Sequence, residues 1–287
     1  MSLDDYLKKA LAEAWAMGHF NASESDQFRA ICEAARDLNA IAMIGTSEGE
    51  AEHLGYFEAV ALRDAFRKEL GIPVFLNSDH HKSVETAEKA VDAGYDSIHI
   101  DLSAEPYEKN ISGTKEVVEY AKEKNPEIRV EGELGYLRGE SKIQREKITV
   151  RPEDLTNPDT AKDFVSRTGV DRLAVAVGNI HGLSMDEPAL DIERIKKIRE
   201  AVPKNVALVL HGGSGIPDEQ IRDAIAAGIA NIHINTDIRV AYAGALREEF
   251  SKNPEEVVPY KFDASAREVI KQIVKQKLEL FGAKNRI

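Results

Sequence analysis

The run Pro73-Val74-Phe75-Leu76-Asn77-Ser78-Asp79-His80-His81 drives a short apolar segment straight into an acid and two histidines. A buried strand that delivers side chains to a working surface at its C-terminal end reads this way. On an ideal strand adjacent residues point to opposite sides. Where a strand turns into a loop, however, Asp79 and His80 can both reach one cavity. A carboxylate beside an imidazole suits metal binding and proton transfer. A single buried histidine is more often a core residue bonded to a carbonyl, so one such run decides little. Repetition raises the signal: apolar runs along this chain end in Asn21, Ser47, Asp79-His80, Asp101, Glu131 and Glu133, His181, His211, and Asn235-Thr236-Asp237.

Three of these, His80, His181 and His211, could converge on one ion, because three histidines with an open position form the ligand set of a catalytic zinc-type site. Spacing does not choose among zinc, cobalt, manganese and iron. Asp101 and Glu133 offer oxygen donors that would hold a second cation or orient a ligand histidine. The run His211-Gly212-Gly213-Ser214-Gly215, just before a helix near Pro217, has the form of an anion cradle, with freed backbone N–H groups and a helix N-terminus. Gly178 and Gly182 flank the preceding loop in the same manner, and Thr236 adds a hydroxyl. Among the remaining histidines, His53 reads as exposed. His19 and His99 read as core residues or supports of the site, His81 as a neighbour of the site or turned away, and His233 as pointing into the mouth.

These residues need a scaffold that brings many strand ends to one rim. Strand signals fall at 18–21, 40–44, 73–76, 97–101, 128–133, 172–178, 206–210 and 231–237, each followed by helical periodicity, with no linker or change of composition between them. Helices are expected at 3–17, 25–38, up to Leu70, 83–93, 115–124, from Ala161, after the sixth strand, at 218–227, and at 264–281 as a C-terminal helical extension. The polar stretch from Gly135 to Pro158 is read as a long loop, either a functional one or simply exposed chain. Eight strand-then-helix repeats predict an α/β fold, a (β/α)8 TIM barrel forming one domain over residues 1–287. An open doubly wound sheet would usually carry a Gly-rich fingerprint after its first strand, and none is present.

Composition agrees with that class. The 287 residues are 43% hydrophobic and 31% charged, ordinary values for a globular chain. A formal net charge of −12 argues against nucleic acid or an anionic membrane as the main partner. No apolar run approaches the roughly 20 residues of a membrane helix, and no signal peptide is visible. The single cysteine, Cys32, sits in a helical pattern and reads as core, which fits a reducing compartment. A soluble cytoplasmic protein is expected.

The combined motifs also carry a family likeness. Asn77-Ser78-Asp79-His80, Val130-Glu131-Gly132-Glu133-Leu134-Gly135, Gly169 to Gly178, His181-Gly182, Leu210-His211-Gly212-Gly213-Ser214-Gly215, Asn235-Thr236-Asp237 and the tail Lys277-Leu278-Glu279-Leu280-Phe281-Gly282 resemble the class II, metal-dependent ketose-bisphosphate aldolases, in order and over nearly the whole chain. The resemblance implies a dimeric or tetrameric barrel that cleaves fructose- or tagatose-1,6-bisphosphate to dihydroxyacetone phosphate and an aldehyde. In it, His80, His181 and His211 match the catalytic metal ligands, with Zn2+ the first candidate and Co2+, Mn2+ or Fe2+ the others. Asp101 and Glu133 match secondary ligands. Asp79 matches the acid/base at the C4 hydroxyl, and Glu140 is the one acid left in the loop whose second acid, in the family, handles the proton on the enediolate carbon. Gly182, Gly212, Ser214 and Thr236 match phosphate contacts, with Asn21 and Ser47 nearby, and His233 and Asn235 are expected to join them in binding substrate.

The chain also departs from that pattern. The family's phosphate-gripping lysine, four residues after the second metal histidine, is Met185, and its usual asparagine is His233. The loop run Gly-Gly-Glu-Glu is Arg138-Gly139-Glu140-Ser141, and Glu48 adds a carboxylate beside Ser47. Losing one charge-assisted contact costs about 1.5–3 kcal/mol, tenfold or more in affinity for a bisphosphate. Arg138, Lys142, Arg145 and Arg239 are the basic residues that could compensate. Two further functions therefore stand beside the default of fructose 1,6-bisphosphate: the same chemistry on a monophosphate or other sugar, and a non-catalytic metal or sugar-phosphate binding protein.

Overall fold

Short runs of Val, Ile, Leu, Ala and Met that are buried on both faces can pair only inside a layer of helices, and that is where this chain places them. The computed structural model describes residues 1–184 and 189–287. The strands are β1 (Met17–Asn21), β2 (Ala42–Ser47), β3 (Val74–His81), β4 (Ser97–Ile100), β5 (Arg129–Leu134), β6 (Gly139–Ile143), β7 (Arg172–Val175), β8 (His181–Leu183), β9 (Ala207–Leu210) and β10 (Ile229–Ile234). Among the described residues, eight of them close into a parallel barrel in the order β1-β10-β9-β7-β5-β4-β3-β2, while β6 and β8 pair separately. The fold is thus the expected (β/α)8 barrel.

The helices are α1 (Leu3–Ala12), α2 (Ser25–Asp37), α3 (Glu48–Leu54), α4 (Tyr56–Leu70), α5 (Val84–Ala93), α6 (Tyr107–Lys124), α7 (Pro158–Thr168), α8 (Ile192–Ala201), α9 (Asp218–Ala226), α10 (Thr236–Lys252) and α11 (Pro259–Leu280). Local chemistry sets their ends. Ser2 and Asp5 close a capping box on α1, Ser83 caps α5, and Asn157 with Pro158 opens α7. Left-handed glycines end α4 (Gly71, φ 66°), α5 (Gly94, φ 97°) and α7 (Gly169, φ 74°).

Several sequence expectations need correction. The last barrel strand stops at Ile234 rather than Asp237, and Thr236 opens α10. That helix has no sequence signature because only Thr236 and Ile238 of it are buried, so it shows no apolar stripe. Helix α6 begins at Tyr107, eight residues before the expected Lys115, and α11 at Pro259 instead of Ala264. The stretch from Gly135 to Pro158 is not all loop: it contains β6 and a 3-10 turn at Pro152–Asp154.

Parallel register places side chains in layers inside the barrel. His99 stands beside Glu131, and Glu131 beside Arg172. His19 stands beside His233, and the two rings stack at 3.5 Å between centroids. On the outer face Gly132 of β5 lets Phe164 of α7 close in, and a Cβ there would meet the phenyl ring at 2.8 Å. We expect Gly132→Ala to lower stability by about 1–3 kcal/mol by overpacking, read as a lower midpoint in urea unfolding. An unchanged midpoint would mean that this contact has slack.

Candidate active site

The site grows from the C-terminal ends of the strands. His80 lies at the end of β3 with φ +48°, where the β3–β4 register breaks between Ser78 and His81. A left-handed backbone is costly for a residue with a Cβ. Its effect here is to turn His80 into the mouth beside Asp79, whereas His81 is turned outward, with Nδ1 2.9 Å from the Thr86 carbonyl. His181 starts β8, whose pairing with β6 sets Gly139 beside it. His211 follows β9, and Gly212 after it has φ +64° with no room for a Cβ, which would fall 2.0 Å from the Ile180 carbonyl oxygen. Glycine there lets the loop bearing His211 pass against the loop bearing His181.

The three expected ligand histidines meet. His80 Nε2 lies 3.1 Å from His181 Nε2 and 2.9 Å from His211 Nδ1. The far nitrogens of two of these rings fix their tautomers. His80 Nδ1–H donates to Asp101 Oδ2 at 2.9 Å, and His211 Nε2–H donates to Glu131 Oε1 at 2.7 Å. Both facing nitrogens are then lone-pair acceptors, and two acceptors 2.9 Å apart repel unless an electrophile lies between them. A proton on His80 Nε2 meets that need in the metal-free chain, and a divalent cation meets it better. Nitrogens bound to one tetrahedral zinc-type ion at about 2.0–2.1 Å lie roughly 3.3 Å apart, close to what the rings already provide. The donor set fits a metal.

Around the triad the charges are paired. Burial pulls His80 down, but the Asp79, Asp101 and Glu133 carboxylates outweigh it and push it up to about 9. Burial together with the nearby His80 and His211 holds His181 well below the usual imidazole range. Burial would raise Asp79, yet His80 and His233 hold it far below the usual carboxylate range. Asp101 also accepts from Ser103 N–H at 3.1 Å and Ser103 O–H at 2.6 Å. Glu133 Oε2 lies 3.5 Å from His80 Nδ1 and 3.2 Å from His99 Nε2. The Asp101–Glu133–His80 group is thus compact enough to hold a cation. His99 accepts the His80 main-chain N–H at 3.1 Å on Nδ1, which makes it a support for the site.

Asp79 is held between two partners, Asn21 and His233. Its Oδ2 accepts from Asn21 Nδ2 at 2.9 Å, and its Oδ1 lies 3.1 Å from His233 Nδ1. Asn21 Oδ1 and Asn235 Oδ1 are buried without a partner among the described residues. Two connected cavities share Asp79, His80, His181 and Asn235. The smaller, on the glycine side, is walled by Gly182, Gly212, Ser214, His233 and Thr236. The larger, about 390 Å³, reaches Ser47, Asp101, Glu133 and Glu140. Every expected site residue therefore lines one of two adjoining spaces. Ser214 Oγ accepts the Asp237 N–H at 3.1 Å at the start of α10.

Glu140 is on the chamber wall, but its side chain is exposed and paired with Lys142 at 2.7 Å. Of the four basic residues considered from sequence, Arg239 lines the chamber, while Arg138 is engaged by Asp154 at 2.8 Å. Glu48 accepts from Lys82 N–H (2.8 Å) and the Thr86 hydroxyl (2.7 Å), so it ties two rim loops together. Met185 lies outside the described residues. A roomier cavity of about 600 Å³ opens at the other end of the barrel around Arg63, Tyr95 and Asp96. Its ion pair, Arg63 Nη1 to Asp96 Oδ2 at 3.0 Å, is satisfied internally and no imidazole lines it, so the chemistry belongs to the histidine end.

Two residues were missed from sequence. Glu50, nearly buried, accepts from Asn21 Nδ2 and Ser47 N–H, both at 2.8 Å, and from Arg239. Its signal was the capping spacing Ser47-Glu48-Gly49-Glu50. Arg172 lies fully buried beneath the triad. Its signal was a charge opening an otherwise apolar strand.

The barrel and its rim define a (β/α)8 enzyme scaffold carrying a candidate metal centre. The family model for fructose-bisphosphate aldolase class II matches residues 1–286. The fructose-bisphosphate aldolase of Staphylococcus aureus is 36% identical over 289 residues, covering 100% of this chain and 98% of its own length. That of Geobacillus stearothermophilus is 36% identical over 286 residues, covering 99% and 97%. The crystal structure of the YdjI aldolase from Escherichia coli K12 superposes with a TM-score of 0.83 at 30% identity, covering 99% of this chain and 97% of that one. A fructose-bisphosphate aldolase from Campylobacter jejuni has a TM-score of 0.84 at 22% identity, covering 100% and 97%, and speaks to the fold.

The chain belongs to the class II fructose-bisphosphate aldolase family. It is a class II aldolase, a carbon–carbon lyase of a metal-dependent family that acts on sugar phosphates.

If the convergent nitrogens hold an ion, the purified protein will carry a tightly bound divalent metal. His211→Ala will lose it, and Asp79→Ala will keep it, as measured by elemental analysis after gel filtration. Equal metal content in wild type and His211→Ala would contradict the assignment.

Proposed function

We propose that this protein reversibly cleaves fructose 1,6-bisphosphate to dihydroxyacetone phosphate and glyceraldehyde 3-phosphate, with His80, His181 and His211 holding one divalent ion, zinc before cobalt, manganese or iron. The observation that carries this is the pair of bare nitrogens on His80 and His211, each fixed by a carboxylate on its far side. An ion bound there supplies Lewis acidity at the ketose carbonyl and offsets the negative charge that develops as the bond breaks. Asp101 and Glu133 orient His80 or hold a second cation.

The chain's own groups do the rest. Asp79, ionised and held between Asn21 and His233, accepts the proton of the C4 hydroxyl. As that proton leaves, the C3–C4 bond breaks and C4 becomes the aldehyde carbon. The electron pair stays on the dihydroxyacetone phosphate half, and a proton quenches it at C3. Glu140, once it turns from Lys142 toward the chamber and takes up a proton from solvent, delivers that proton as a carboxylic acid. The unpartnered carbonyl oxygens of Asn21 and Asn235 accept from sugar hydroxyls. Gly182, Gly212, Ser214 and Thr236 take one phosphate with backbone N–H groups and the N-terminus of α10, with Ser47 and His233 completing the contacts.

No helix among the described residues is long and apolar enough to cross a membrane. We place the protein in the cytoplasm as one barrel domain over residues 1–287 that assembles as a homodimer or homotetramer. The exposed Val257 and Tyr260 near the start of α11 support assembly.

A second reading, the same aldol chemistry on a monophosphate or another sugar, is favoured by Met185 in place of a cation and by Glu50, which occupies Arg239.

A coupled assay for triose phosphate should show chelator-sensitive cleavage of fructose 1,6-bisphosphate by metal-loaded enzyme. Asp79→Ala should lower kcat by about 10²–10⁴-fold with metal retained. Glu140→Ala should slow solvent exchange of the dihydroxyacetone phosphate proton. Metal-loaded enzyme that leaves the bisphosphate intact but cleaves a ketose monophosphate would replace the first reading with the second, and full turnover by Asp79→Ala would remove that residue from its role.

A further inference from the structure

We propose that Arg172 is a positioning residue for the metal centre, acting through Glu131 to hold His211 in the tautomer that presents Nδ1 to the ion. Arg172 opens β7 and is fully buried in the middle of the barrel. Its Nη1 lies 2.9 Å from Glu131 Oε2 and donates to Asn231 Oδ1 at 2.8 Å, while Nη2 donates to Asn77 Oδ1 at 2.7 Å and to Ser97 Oγ. One guanidinium thus joins side chains of β3, β4, β5 and β10 to β7, directly beneath the three imidazoles.

The direction of influence follows from the donors. Glu131 is completely buried, and a carboxylate there is sustained only by a partner charge and hydrogen bonds. Arg172 supplies the charge on Oε2, which leaves Oε1 to accept from His211 Nε2–H at 2.7 Å. That bond commits the ring proton to Nε2 and leaves Nδ1 bare, 2.9 Å from His80 Nε2. Without the guanidinium, neither the position of Glu131 nor the orientation of His211 is fixed from below. Arg172 touches neither the ion nor the substrate.

The inference rests on the metal-centre reading, and Co2+ alone tests both. Titration of metal-free protein with Co2+, followed by visible absorption and chelator competition, should give Arg172→Met a dissociation constant about 10–100-fold weaker than wild type, the range for removing a partner of a metal-ligating histidine. The visible bands should shift, and Arg172→Lys, which keeps a charge opposite Glu131, should recover most of the affinity. If Arg172→Met does not fold, Arg172→Gln, which retains polar contacts without the charge, takes its place with the same expectation. Wild-type affinity and spectrum in the folded variant, with only the melting temperature of the metal-free protein lowered, would overturn the inference and leave Arg172 a structural residue. Absence of Co2+ binding in wild type would instead overturn the metal-centre reading.

Discussion

Two imidazole nitrogens that both carry lone pairs face each other across 2.9 Å at the mouth of this barrel, and a third comes within 3.1 Å. Left alone, such a cluster repels itself, so it persists only with positive charge at its centre and with carboxylates behind the rings to commit their protons outward. Asp101 and Glu131 serve as those carboxylates. They in turn are anions, Asp101 partly buried and Glu131 fully so, that need compensation, which Ser103 provides for one and Arg172 for the other. The left-handed backbone at His80 is tolerated for the same reason, because it aims the ring at the cluster. Breaking a buried pair by removing one partner costs more than the pair contributes, so the polar interior of the barrel and its rim form one interdependent network.

Around that network the fold separates two tasks. On one side, loops with glycine at positions closed to a Cβ, Gly182 and Gly212, wall a small cavity together with Thr236 at the start of α10. On the other, a chamber of about 390 Å³ carries mixed charge, with Arg239 held by Glu50 and with Glu48 tying the rim loops. The two-stranded β6–β8 sheet spans the boundary, so the strand bearing Glu140 is coupled by register to His181.

The rim was legible in the sequence because barrel strands buried on both faces are almost uniformly apolar. Each abrupt ending in His, Asp, Glu or Asn therefore marked a position at the rim, although His181 opens β8 and does not end a barrel strand. Asp79, His80, Asp101, His181 and His211 stood out in this way. Features that depend on three-dimensional neighbours did not. Arg172 was only the first residue of a strand run, and the register with Glu131 together with its complete burial shows it to be interior. Glu50 could be read as a helix cap, but not as a partner of Asn21 and Arg239. Helix α10 was invisible because it buries so little, and β6 because, among the described residues, its partner strand β8 lies some forty residues on, with His181 opposite Gly139. The twist at His80 was likewise hidden, since a register break leaves no mark on residue types.

The claim at the centre of this account is that the histidine cluster is built around a metal ion. X-ray absorption at the zinc edge, on protein loaded with one equivalent of Zn2+, tests it most directly. The account predicts imidazole scattering from three nitrogen donors at about 2.0–2.1 Å, a signature lost in His211→Ala, which does not retain the ion. A spectrum dominated by oxygen donors and unchanged by that substitution would contradict it.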